Sequence, residues 1–171
     1  MNLNNRILVT YASRAGSTAG VAEAIGKTLA ERGAQVDVLP MKEVKNLAPY
    51  DAVVAGSAIR AAKWLPEAVQ FIQTHQAELA RKPFAMFTVC ITLAMSNKEQ
   101  YRSAVAGWVA PMRALVKPVS EGLFAGTLDF KKLPLNVETL KLRATVAAGI
   151  FPKGDRRDWD AIRAWAKGIP V

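Results

Sequence analysis

Apolar positions follow two rhythms along this chain. Short continuous or every-second runs alternate with stripes spaced three or four apart, so strand and helix signals take turns. Residues 6–12, Arg6-Ile7-Leu8-Val9-Thr10-Tyr11-Ala12, read as a buried strand, and 17–32 place Val21, Ile25 and Leu29 four apart on a helix closed by Gly33. A short strand at 35–39 alternates Val36 and Val38 with polar neighbours, 41–50 connect, and 51–57 are strongly apolar again around Ala52-Val53-Val54-Ala55. Pro66 suits the first turn of a helix whose stripe of Leu65, Val69, Ile72 and Leu79 runs through about residue 80. Residues 84–91 predict an apolar strand, and 99–116 a helix carrying Tyr101, Val105, Trp108, Met112 and Leu115, with Pro111 expected to kink or split it. The last strand is expected over 119–130, weakened by Gly122 and Gly126. Residues 131–154 break the rhythm with Lys131, Lys132 and Pro134, a helical pattern over 137–148, then Pro152 and Gly154. A final helix begins near Asp158 and carries Trp159, Ile162 and Trp165.

Five strands alternating with helices, several apolar throughout, predict an α/β fold in which a parallel sheet is covered on both faces. Right-handed crossovers make it a three-layer, doubly wound domain. With strand order 2-1-3-4-5, the topological switch lies between the first and third strands, and a ligand belongs at their carboxyl ends. The loops there are 13–18, 57–64 and 88–97. The length, 171 residues with 51% hydrophobic, suits a single domain over 1–171 with an extra segment at about 131–154.

The first of those loops carries candidate chemistry. Ser13-Arg14-Ala15-Gly16-Ser17-Thr18 joins a strand's carboxyl end to a helix start, where amides lack intrahelical acceptors and the helix dipole favours an anion. Gly16 allows close backbone approach, and Ser13, Ser17 and Thr18 offer hydroxyls. A nucleoside triphosphate loop requires a lysine that this segment lacks, and the dinucleotide fingerprint requires glycines at another spacing than Gly16 and Gly20. Two readings stand: a site for a single terminal phosphate, or an ordinary helix capped by Ser17 or Thr18. A receiver domain shares the topology but requires an acidic acceptor where this chain has Gly56-Ser57, and an acidic pair where it has Tyr11-Ala12-Ser13.

Charge narrows the partners. Lys and Arg number 23 against 14 Asp and Glu, a net +9 with His75 neutral, which attracts anions. The basic residues are spread along the chain and not interleaved with aromatics in runs, which argues against nucleic acid. Cys90, the one cysteine, excludes an internal disulfide and fits a reducing, cytoplasmic compartment. The start, Met1-Asn2-Leu3-Asn4-Asn5, lacks the parts of a secretory signal, and the longest apolar stretches, 84–95 and 144–151, fall short of a bilayer span. No metal-ligand cluster accompanies His75, which is expected on a solvated helix face.

Three stretches together resemble one family: 12–18; Val53-Val54-Ala55-Gly56-Ser57-Ala58-Ile59-Arg60; and Gly154-Asp155-Arg156-Arg157-Asp158-Trp159-Asp160-Ala161-Ile162. They are similar to the flavodoxins and, more narrowly, to the flavodoxin-like menaquinone-dependent protoporphyrinogen oxidases and related flavodoxin-domain proteins. The resemblance covers almost all of the chain and implies noncovalent flavin mononucleotide (FMN). Ser13, Arg14, Ala15, Gly16, Ser17 and Thr18 would hold the phosphate. Ser57, Ala58, Ile59, Arg60, Trp64, Thr88, Val89, Cys90, Ile91 and Thr92 would flank the isoalloxazine ring. Ala15 departs from the threonine common in flavodoxins, and Arg14 either supplies compensating charge or points to solvent.

The same resemblance implies an FMN-dependent oxidoreductase passing electrons from an organic reductant, with protoporphyrinogen IX the candidate, to a quinone-type acceptor; the alternative is a small electron carrier docking on a redox partner. Basic residues suit porphyrinogen propionates, with Arg60 and Lys63 the candidate contacts, although both also read as ordinary solvated surface. Reduction adds negative charge to a flavin, so a +9 protein is expected to hold a less negative potential than an acidic carrier. Trp64 either covers the ring or staples the following helix against Val69. Cys90 reads as a small buried apolar residue rather than a redox group. Leu135, Val137, Leu140 and Leu142, among Lys131, Lys132, Lys141 and Arg143, suggest weak peripheral contact with an anionic membrane on its inner face. The oligomeric state is open.

Overall fold

The structure, a computed structural model, describes residues 5–95, 98–132 and 135–171. Strands β1 (Arg6–Ala12), β2 (Gln35–Pro40), β3 (Ala52–Arg60), β5 (Phe84–Val89) and β6 (Ser120–Phe124) form a parallel sheet in the spatial order β2-β1-β3-β5-β6. Counting these long strands alone, the order is the expected 2-1-3-4-5. The register sets Ala12 beside Ser57 and Ser57 beside Thr88, so β1 and β5 finish nearly level while β3 runs on past both to Arg60.

Period-two alternation decides which helix covers which face. Leu8 and Ala12, Val53 and Ala55, and Phe84 and Met86 point to one side, where α2 (Pro66–Thr74), α3 (Gln76–Leu79) and α4 (Lys98–Leu115) bury them. Ile7 and Val9, Ala52 and Val54, and Ala85, Phe87 and Val89 point to the other, against α1 (Ser17–Glu31) and α6 (Trp159–Gly168). Buried on both faces, β3 and β5 can be apolar at nearly every position. Trp165 anchors α6, its indole donating to Ser120 Oγ at 3.0 Å, and Asp158 caps the helix by accepting from the Ala161 amide at 2.9 Å.

The structure departs from the sequence expectation at four places. Residues 57–64 are not a loop: β3 continues to Arg60 and turns through Ala61 and Ala62 into the antiparallel β4 (Lys63–Trp64). Both alanines are left-handed, with φ of +48° and +58°. The helix from Pro66 breaks at His75, which is half-buried, packs its ring at a tilt against Phe71 with centroids 4.7 Å apart and approaches Glu78 at 3.4 Å, so it is not on a solvated face. Helix α4 is not split by Pro111. The expected last strand ends at Phe124, and β7 (Thr127–Leu128) pairs instead with β8 (Gly154–Asp155) in a separate antiparallel ladder. The expected helix in the segment 131–154 is present as α5 (Val137–Ala147). Pro134, the Lys132 side chain, the start 1–4 and residues 96–97 of the 88–97 loop lie outside the described residues. Among the described residues, no helix is long and apolar enough to cross a membrane.

Candidate functional site

A cavity of about 500 Å³ opens at the topological switch. Ser13, Arg14, Ala15 and Ser17 line it from the end of β1, Ala58, Ile59 and Arg60 from β3, and Val89, Cys90 and Ile91 from the end of β5. Its size falls within the ~300–1,000 Å³ of typical small-molecule sites. The reversal of strand order at this switch point opens the crevice as a matter of topology.

The turn leading into α1 is built for an anion. Gly16 is left-handed, φ +86°, and a Cβ added there would meet nothing within 4 Å, so the loop crest faces open space. Its amide donates to Ser13 Oγ at 3.0 Å. No side chain caps α1, which disposes of the reading in which Ser17 or Thr18 merely caps it. Thr18 is fully buried, and among the described residues its Oγ1 and that of Thr10 are the two buried side-chain oxygens without a hydrogen-bond partner. A buried hydroxyl left unpaired costs about 1–3 kcal/mol, and persists where a ligand completes it. The uncapped helix start and the open crest fit a phosphate group, and the orphaned Thr18 hydroxyl lies in the same first turn of α1, although Thr18 does not itself line the cavity. Arg14 neither joins the loop's hydroxyls nor stands free; it is exposed and pairs with Glu67 at 3.0 Å.

The other expected ring-site residues divide. Ala58, Ile59, Arg60, Val89, Cys90 and Ile91 meet at the cavity. Ser57 is fully buried and structural, accepting from the Leu65 amide at 3.0 Å and donating to the Ala58 carbonyl at 2.8 Å. Trp64 is 3% exposed and donates its indole N–H to Thr88 Oγ1 at 2.9 Å, so it packs in the core beneath the site; neither Trp64 nor Thr88 reaches the cavity wall. Thr92 sits one residue past the lining, in a short 3-10 turn over Ile91–Ala94, where its hydrogen bond to Cys90 partly offsets the burial that pushes the Cys90 thiol up. The thiol is therefore held protonated and apolar in character. Lys63 is exposed on the β3–β4 hairpin and does not line the cavity.

One wall was not foreseen. Asn136 just before α5 and Glu138, Thr139 and Leu142 on it, with Gly126, Thr127 and Leu128, roof the cavity. Asn136 caps α5 by accepting from the Thr139 amide at 2.9 Å, and Glu138 pairs with Arg60 at 3.1 Å across the opening. The cap was readable as an Asn before an apolar run; the roof was not, because it depends on contacts far apart in sequence. Leu142 turns inward, whereas Leu135, Val137, Leu140 and Ile150 are exposed.

A doubly wound α/β domain with a ligand cavity and an anion-ready turn at its switch point is the class these features define. The flavodoxin domain profile matches residues 8–143, and the chain belongs to that family. FMN is the cofactor of flavodoxins, and the residues present fit it. Among solved structures, the fold is similar to a short-chain flavodoxin associated with a non-canonical PDU bacterial microcompartment (TM-score 0.60, 12% identity, 96% of each chain). It is also similar to a Streptococcus pneumonia flavodoxin (TM-score 0.55, 14% identity, 96% of this chain and 97% of that one). Among characterised sequences, the chain is 27% identical over 130 residues to a protoporphyrinogen IX dehydrogenase [quinone] of Leishmania major. That match takes in 74% of this chain and 56% of the relative, so it spans little more than half the relative's length.

Proposed function

We propose that this chain is a single FMN-binding domain that passes electrons from an organic reductant, with protoporphyrinogen IX the candidate, to a quinone-type acceptor. The observation that carries this reading is the roofed cavity at the ends of β1, β3 and β5, adjoining a turn with an orphaned hydroxyl. The Leishmania major relative adds support for the substrate pair.

Bound FMN would supply the redox chemistry, so the protein's own share is position, desolvation and charge. Residues 13–18 would hold the phosphate by main-chain N–H groups and by the Thr18 hydroxyl. Ala58, Ile59, Val89, Cys90 and Ile91 present apolar surface to a flat heterocycle, and α5 excludes water from above. Arg60 at the rim would orient a propionate once it exchanges Glu138 for substrate, with Lys63 a more distant contributor. The exposed Leu135, Val137, Leu140 and Ile150, near Lys131, Lys141 and Arg143, suit weak contact with an anionic bilayer, where a quinone would be met.

The test is turnover. Purified protein is expected to be yellow with FMN and to oxidise protoporphyrinogen IX anaerobically when a soluble menaquinone analogue is added. Yellow protein that transfers electrons only to a protein partner would make it a carrier, the reading its structural neighbours favour by fold. Colourless protein that takes up no FMN would remove both.

A further inference from the structure

Arg157 reaches the phosphate loop from the other end of the chain. Its Nη1 donates to the Ser17 carbonyl at 3.2 Å, while Nε and Nη2 donate to the two Asp155 oxygens at 2.8 and 2.6 Å. Asp155 also accepts from Thr127 Oγ1 at 3.1 Å, which ties the carboxylate to the β7–β8 ladder. The guanidinium lies 4.5 Å from the Trp159 ring centroid, and only 16% of the side chain is exposed. A cation with its planar fork filled and one face stacked is fixed in place. Gly20 leaves the room for it: a Cβ there would stand 2.6 Å from Nη1.

Arg157 also lines a small recess of about 50 Å³ beside the loop, with Ala15, Gly16, Ser17, Thr127 and Asp129. Ala15 offers no hydroxyl, Arg14 is exposed and paired with Glu67, and Asp129 adds negative charge to this recess. Arg157 is thus the cation built into the wall behind the turn. We propose that Arg157 is the positioning residue of the phosphate loop: it clamps the first turn of α1 through the Ser17 carbonyl and offsets the negative charge beside it, so that the turn grips a terminal phosphomonoester.

This rests on the FMN reading, and the experiment separates the two by comparing FMN with riboflavin, which lacks the phosphate. Dissociation constants for both are measured by flavin fluorescence quenching for wild type, R157M, R157K and G20A, with thermal unfolding of each apoprotein as a control for folding. R157M is expected to weaken FMN at least tenfold and riboflavin less than twofold. R157K, keeping charge without the bidentate pair, is expected between R157M and wild type. G20A displaces the guanidinium without removing it and is expected to show the same phosphate-selective loss, which decides the matter if R157M does not fold. Equal weakening of both flavins, or unchanged FMN affinity in R157K and G20A, overturns the proposal while leaving the FMN reading intact. Wild-type protein that binds riboflavin as tightly as FMN, or binds neither, overturns the reading and the proposal together.

Discussion

Replacing Thr18 with valine separates stability from binding in opposite directions. The Thr18 hydroxyl is fully buried and unpaired, so the apoprotein carries the desolvation cost of that group with no return. Valine keeps the β-branched shape and removes the oxygen, which predicts a gain of about 1–3 kcal/mol in the apo state. With a urea slope of about 2 kcal/mol/M, that gain raises the unfolding midpoint by roughly 0.5–1.5 M. In the FMN complex the hydroxyl would donate to a dianion, a hydrogen bond to a charged group worth about 1.5–3 kcal/mol. Its loss predicts FMN binding weaker by roughly 10- to 150-fold. Urea unfolding of the apoprotein and fluorescence titration with FMN measure the two effects. A less stable apo T18V, or T18V that binds FMN like wild type, would refute the assignment of that hydroxyl to the ligand.

Three further outcomes are expected. The turn between β3 and β4 holds two alanines at positive φ, where a Cβ costs about 1–2 kcal/mol per residue. Less the ~0.5–1 kcal/mol entropic penalty of glycine, A62G should gain about 0.5–1 kcal/mol and raise the melting temperature by about 1–4 °C; a lower temperature would contradict the left-handed turn. W64F strands the Thr88 hydroxyl and should cost about 2 kcal/mol, of which the double variant W64F/T88V recovers a part in a double-mutant cycle; additive losses would deny the coupling. The Arg157 guanidinium and its hydrogen bonds hold the Asp155 carboxyl well below the usual carboxylate range. A depressed folded value contributes stability that is full above the unfolded pKa of about 4 and is lost as pH falls through the folded value, so D155N should be less stable than wild type at pH 7, with the gap by thermal unfolding starting to narrow below about pH 4 and closing only as the pH nears the folded value.

Sheet order and the position of the anion-ready turn were legible because both follow from local patterns: apolar strands alternating with helices, and hydroxyls at a strand-to-helix junction. The crest beside the cavity was not. Ala61-Ala62 carries none of the Asn-Gly signal that marks a two-residue hairpin, so 57–64 read as a loop. Trp64 fits either of its two sequence readings equally well until Thr88, 24 residues away, is seen to accept its N–H. His75 looks solvent-facing in a continuous helix and becomes half-buried only because the helix breaks there. The roof made by α5 and the reach of Arg157 were hidden for the same reason, since long-range packing leaves little trace in local periodicity.

The 140-residue span between Ser17 and Arg157 has a consequence for biosynthesis. The strands that set the crevice emerge from the ribosome first, and the buttress behind the phosphate turn follows that turn by 140 residues. A nascent polypeptide can therefore assemble its sheet before it can hold cofactor firmly. Termination between the end of β6 and Arg157 would leave a product with its parallel sheet and a slack grip on flavin.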